Sequence, residues 1–152
     1  MTDSKVHDVD IYEEVSGNLI RILPVVRKQL LFSDIISRDH KMPMSQIQIL
    51  SVLHENGSMS ITDLSGYLGI AKPNITPLID RLVSQGYVSR SRDTRDKRII
   101  NVCILENGVA KLQDIRSTVS DRFRENFGKM DFHEVLHLND SLLAILDFTA
   151  PQ

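Results

Sequence analysis

The chain is short of several things. It has one cysteine, Cys103, among 152 residues. No disulfide can close within it, and no cysteine cluster can hold a metal within one chain. No basic residue lies within four positions of Cys103 to lower its pKa. It therefore reads as a small buried residue of "IINVCIL" rather than a redox-sensing thiol. Tryptophan is missing and aromatic residues are only 5%, which leaves the apolar stripes below mainly to Ile, Leu and Val. No stretch approaches the ~18 uninterrupted apolar residues of a membrane span, and the first twenty residues carry five acids and no apolar run. A cytoplasmic protein is the expectation. There is no glycine-rich phosphate loop, no nucleophile elbow and no carboxylate pair with a supporting motif, so an enzyme has nothing to stand on and no cofactor is expected.

Charge of one sign is also scarce overall, with a net of −2, but its distribution is uneven. Residues 72–98 hold seven basic residues (Lys72, Arg81, Arg90, Arg92, Arg95, Lys97, Arg98) against Asp80, Asp93 and Asp96, a net of +4. The remainder holds 11 basic and 17 acidic residues, a net of −6. A cationic island in an acidic chain marks where an anion should dock.

What is present is helical periodicity in an ordinary globular composition, 41% hydrophobic and 25% charged. Ile11, Val15, Leu19, Ile22, Val26 and Leu30 recur at steps of three and four, predicting a long helix over 9–39, kinked or broken at Pro24. After "KMPMS", Ser45 is the expected N-cap of a second helix over 46–55, stopped by Gly57. Ser60 and Asp63 form a capping-box pattern for a short helix through Leu68. Gly69 then turns the chain into a helix running to about Gln85. Two short helices joined by a glycine turn make a helix-turn-helix.

Residues 87–105 change to a period of two around the polar tip "DTRDK", which predicts a β-hairpin. The stripe Val109, Leu112, Ile115, Val119, Phe123 and Phe127 predicts a long helix. Asp131 with Glu134 caps a last one carrying Phe132, Val135, Leu136, Leu142, Leu143, Leu146 and Phe148. The class is thus mainly α with a small β-hairpin wing. The end helices have apolar faces that one small domain would struggle to cover, and a second copy of the chain is the expected cover.

The stretch "LSGYLGIAKPNITPLIDRLVSQGYVSRSRDTRDKRIINVCILENG" (64–108) resembles the MarR family of winged helix-turn-helix regulators. The resemblance rests on Leu64, Leu68, the "IDRL…QGYV" run, the Asp96–Lys97–Arg98 wing tip and "ILENG", and extends over about residues 10–148. It implies a cytoplasmic homodimer that binds double-stranded DNA at an inverted-repeat operator, acting as a repressor, with a small-molecule effector as a candidate further partner. It also implies three regions: an N-terminal dimerisation helix (1–40), a winged helix-turn-helix domain (41–105) and C-terminal dimerisation helices (106–152). Recognition helix 72–85 would present Lys72, Pro73, Asn74, Thr76, Pro77 and Arg81 to the major groove. In it, Asn74 suits adenine, and Thr76 and Pro77 suit a thymine methyl.

In wing 87–105, Arg95 and Lys97 are the expected minor-groove or phosphate ligands, and Asp96 braces Arg98. Arg90 and Arg92 point toward the phosphate backbone. Many relatives carry Arg where Pro77 stands, so its absence weakens guanine readout there. Leu105 replaces a capping Thr, predicting a less crisp start near Asn107 for the helix that follows.

The two prolines of "AKPNITPLIDRL" fit one helix if Ala71 or Lys72 is its cap, because Pro73 then falls where the N–H has no intrahelical partner. The alternative begins the helix at Pro77 with Thr76 as cap. His133 and His137 stand four apart as zinc ligands would, but no third ligand is evident, so no metal is expected. His40 and His54 read as isolated surface or helix-end residues. Arg27 and Arg38 are the candidates for an anionic effector. A winged helix that binds a protein partner without DNA is the alternative function.

Overall fold

The computed structural model describes residues 3–28 and 39–149. Its elements are α1 (Asp3–Val26), α2 (Met44–Asn56), β1 (Met59–Ser60), α3 (Ile61–Leu68), α4 (Lys72–Ser84), β2 (Val88–Arg92), β3 (Ile100–Ile104), α5 (Glu106–Phe127) and α6 (Phe132–Thr149). The fold is mainly helical with a small antiparallel sheet, as the periodicities predict. The hairpin β2–β3 pairs Val88 with Ile104 and Arg92 with Ile100. It is not alone, however: two-residue β1 adds to the other edge of β3, giving the order β1-β3-β2. Two residues, the second of them the cap of the next helix, carry no period, so β1 is invisible to pattern reading.

Among the described residues, the buried core lies between residues 42 and 115. It is built from Ile49, Leu50 and Leu53 of α2, Leu64 of α3, Ile75, Ile79 and Leu82 of α4, Val88 and Val102 of the hairpin, and Leu112 and Ile115 of α5. Inward residues recur every three or four positions in the helices and every second position in the strands, as their geometries require. Gly108 is needed where α5 meets the hairpin base. A Cβ there would stand 2.3 Å from the Tyr87 carbonyl oxygen, the same oxygen that accepts from the N–H of Leu105 at 2.9 Å.

α1 runs through Pro24 to Val26, with wider π-type spacing at 27–28. The rest of the expected first helix, Leu30 and Arg38 included, lies outside the described residues. α2 starts earlier than expected: its N-cap is Pro43, with no side-chain cap, and not Ser45. This has a consequence at Gln46, the third helical residue, which is fully buried with neither amide atom hydrogen-bonded. A Gln at that position ordinarily reaches back to the backbone N–H of a capping residue, and proline has none. α5 begins at Glu106 with Leu105 as an unassisted cap, one residue before the expected start.

Two single-residue expectations fail. Cys103 is exposed, because β3 turns Val102 into the core and therefore the next side chain out. His40 is not isolated. Its side chain is 7% exposed, its Nδ1 lies 3.1 Å from Asp114 Oδ2 and its Nε2 lies 2.9 Å from Thr118 Oγ1. The fold places it against α5, a contact between residues more than seventy apart in sequence. His54 sits, as expected, in the last turn of α2.

The end helices differ from this core. α1 exposes Ile11, Tyr12, Val15, Leu19, Ile20 and Leu23, and α6 exposes Phe132, Leu136, Leu142, Leu143 and Phe148. No other described element packs extensively on either. Among the described residues, no helix is long and apolar enough to cross a membrane.

Candidate nucleic-acid interface

The recognition element is set by its two ends. Ser60 caps α3, its Oγ accepting from the N–H of Asp63 at 3.0 Å. At the other end Gly69 takes φ +63, a left-handed conformation that costs glycine least. Ser65 fastens the turn, donating from Oγ to the Ile70 carbonyl at 2.6 Å. α4 then starts from Ala71, whose extended backbone leaves Pro73 in the first turn. The carbonyl of Ala71 accepts from Asn74 and Ile75 at 2.8 and 3.1 Å, so the helix includes both prolines and does not wait for Thr76. Pro77 removes the bond that would have reached the Pro73 carbonyl, and the Thr76 hydroxyl turns back to the Lys72 carbonyl at 2.9 Å.

Ile75, Ile79 and Leu82 fill the core. Lys72, Pro73, Asn74, Pro77 and Arg81 are therefore exposed, with Thr76 half-buried. Such a helix can offer a groove an amide, two proline rings and two cations.

The wing tip is organised by Asp93, a residue that sequence reasoning left out. Its Oδ1 accepts from the backbone N–H of Arg95 at 2.9 Å and of Asp96 at 3.1 Å. Its Oδ2 accepts from Asn101 Nδ2 at 3.2 Å. The backbone N–H groups of Asp96 and Arg95, then the Asn101 amide, hold the Asp93 carboxyl below its ordinary range. Asp96 grips Arg98 through Oδ2 at 2.8 Å, which lowers the carboxyl's pKa and raises the guanidinium's.

The signal for Asp93 was present: an aspartate opening a tight turn accepts from N–H groups two and three residues on. Arg92, Arg95, Lys97 and Arg98 are exposed around this frame. Arg90 is different. It shares a strand face with buried Val88 and is turned inward, its guanidinium against Asp80 and the Thr76 carbonyl.

His133 and His137 are exposed on α6, and no group of His, Cys, Asp or Glu suited to a metal occurs among the described residues. Arg27 is exposed just beyond α1.

A short helix, a glycine turn, an exposed-faced second helix and a cationic hairpin define a winged helix-turn-helix protein. Comparison with known proteins gives the narrower class. A family model described as the MarR family matches residues 42–100. The chain is 35% identical over 66 residues to the uncharacterized HTH-type transcriptional regulator YfiV of Bacillus subtilis, covering 43% of this chain and 41% of that one. It is 24% identical over 117 residues to the homoprotocatechuate degradative operon repressor of Escherichia coli, covering 75% and 78%. A crystal structure of a MarR transcriptional regulator from Methanosarcina mazei superposes with a TM-score of 0.71 at 25% identity, covering 88% and 95%. The matched stretches span 41% to 66% of the lengths of YfiV and two further Bacillus subtilis regulators, YpoP and YsmB. Residues 42–100 thus carry the MarR-family match, and the proteins this chain is similar to are winged helix-turn-helix transcriptional regulators.

Proposed function

We propose that the protein is a homodimeric DNA-binding repressor that reads an inverted-repeat operator with α4 in the major groove and the wing in an adjacent minor groove. One observation carries this reading: the N-terminal half of α4 and the wing tip present their polar and cationic side chains outward, with the opposite face of α4 sealed into the core. Phosphate contacts from Lys72, Arg81, Arg92, Arg95, Lys97 and Arg98 set register, and base edges are read by Asn74 and by the apolar surfaces of Thr76 and Pro77. The Thr76 hydroxyl hydrogen is already donated to the Lys72 carbonyl, so Thr76 offers a base its methyl group and acceptor lone pairs but no donor. This favours A·T-rich half-sites.

Dimerisation rests on the uncovered apolar faces of α1 and α6, with 1–40 and 106–152 as the pairing regions and 41–105 as the reading domain. Two copies about a two-fold axis meet half-sites about one helical turn apart, ~34–36 Å, or a multiple of it. An effector would act only through different affinities for two separations of the recognition helices. A cleft between α2 and α5, at Ile47, Leu112, Ile115 and Arg116, holds about 170 Å³, below the ~300 Å³ of a typical small-molecule site, whereas the open groove along α1 at Val15, Leu19, Ile22 and Val25 holds about 570 Å³.

The test is selection from random duplex DNA, followed by affinity against salt. An inverted repeat is expected among the bound sequences, with affinity falling steeply as salt rises. Lys97→Ala with Arg98→Ala removes four phosphate ligands from the dimer and is expected to weaken binding to all sequences and to flatten the salt slope by about three to four units. Salt-insensitive capture of a protein partner with no DNA shift would replace this reading with a protein-interaction module.

A further inference from the structure

We propose that Arg90 and Asp80 form a positioning pair that fixes the wing to the recognition helix, and that Arg90 is not a DNA ligand. The proposal rests on the DNA-reading function above and concerns how its two reading elements are held together.

Arg90 sits in the middle of β2, opposite Val102, on the inward strand face. Its terminal nitrogens are both engaged: Nη1 with Asp80 Oδ1 at 2.5 Å, and Nη2 donating to the Thr76 carbonyl at 3.2 Å. Its Nε is buried without a protein partner. Both terminal nitrogens are thus committed to α4, and Nε is not open to a phosphate. Thr76 and Asp80 are four residues apart and so lie one above the other on α4. One planar side chain thus grips two turns of the helix, at the level where Thr76 and Pro77 meet the groove. A lysine ammonium has no such fork.

The backbone joins wing to helix through Gly86, at φ +72, and the hairpin base is anchored by Val88 and Val102 in the core; the Arg90–Asp80 pair adds a second hold, directly onto α4. The ion pair is partly exposed, at 27% and 58% for the two side chains, so it adds little to global stability. What it restricts is the angle between hairpin and helix. Two DNA contacts held at one angle bind as a unit, whereas two that must be aligned on binding lose affinity to that ordering.

Asp80 supplies a test in which two explanations give opposite signs. It is one of three acids within the cationic island. If it were only a misplaced charge, removing it would strengthen binding to every duplex. If it positions the wing, removing it weakens binding to the operator.

The experiment uses full-length protein and two duplexes of about 30 base pairs: one carrying the sequence the wild type selects from a random pool, and a scrambled one of equal composition. Asp80→Asn is expected to lose about five-fold or more on the selected duplex while binding the scrambled one as well as the wild type or better. Arg90→Lys keeps the charge and is expected to lose comparably on the selected duplex. In protein without DNA, amide hydrogen exchange across residues 88–101 should speed up in Asp80→Asn, while α2 exchanges as before.

Unchanged or tighter operator binding by Asp80→Asn would overturn the proposal. So would full retention of affinity by Arg90→Lys, or unaltered exchange in the wing. A wild type that binds neither duplex would instead sink the DNA-reading function, and the exchange measurement would still judge the brace.

Discussion

Residues 42–115 and the two end helices carry the same kinds of apolar side chain and dispose of them in opposite ways. In the middle, Ile49, Leu50, Leu53, Leu64, Ile75, Ile79 and Leu82 have no exposed surface. At the ends, Tyr12 is 73% exposed, Phe132 72% and Phe148 92%. The helices are equally regular in both regions, so regularity does not explain the difference. The middle elements meet one another at angles that close a shared interior. α1 and α6 leave it, and their stripes have no counterpart among the described residues. An apolar face this extensive on a water-facing helix marks an interaction surface, and a self-complementary one pairs two copies most simply. The middle reads DNA in the proposed function, and the ends set how far apart two readers stand.

The largest effect should come from breaking the ends. Leu142→Asp with Leu143→Asp puts four charges into the interface of the proposed dimer. It is expected to weaken self-association at least about a hundred-fold, since each buried leucine contributes ~1.5–3 kcal/mol. Sedimentation velocity across a concentration series checks this, and a variant that sediments like the wild type would assign dimerisation to some other surface. The folded middle should survive, because neither residue touches its core.

A smaller effect, of opposite sign, is expected inside the middle. Pro43→Thr restores a capping hydroxyl and a backbone N–H at the head of α2, giving the buried Gln46 amide the partner it lacks. The backbone at this position, φ −62 and ψ 149, suits a capping threonine. A gain of about 1 kcal/mol should appear as a raised urea midpoint with an unchanged slope. No gain would mean that Gln46 is satisfied in another way. The dimer equilibrium should not move, which separates the two regions again.

The smallest effect is local to the wing. Asp93 and Asp96 titrate below their ordinary 3.8 in the folded protein. Groups with depressed folded pKa values contribute order that is fully present above the unfolded value and lost as pH falls through the folded one. Amide protection at residues 93–99 should therefore fade below about pH 3.8 before the core of α2 and α4 loosens. Simultaneous loss in wing and core would show that the carboxylates do not organise the tip separately. Both groups are half-buried in the wing tip and outside the core, so the core should be nearly indifferent.

Much of this architecture was legible in the residues. Ser60 with Asp63, Gly57, Gly69 and Asp131 with Glu134 announce helix ends through local hydrogen bonds that need nothing distant. Ile75, Ile79 and Leu82 announce the buried face of α4 and, by subtraction, the outer face that holds Asn74, Pro77 and Arg81. The Asp96–Arg98 contact follows from a two-residue spacing. What escaped depends on neighbours far along the chain. His40 meets Asp114 and Thr118 only because α5 passes beside it. β1 exists because β3 offers it an edge. Arg90 resembles every other arginine of the island until α4 is packed against β2.

The sequence alone settled the order of the helices and the hairpin, most of the caps, the stripes and the place where positive charge collects, because each is decided within a few residues of backbone and side chain. Tertiary structure alone decided which of those charges stay free and which become internal fasteners. It also turned Cys103 outward and left the end helices uncovered. These outcomes depend on the relative placement of elements tens of residues apart, and no local period encodes that placement.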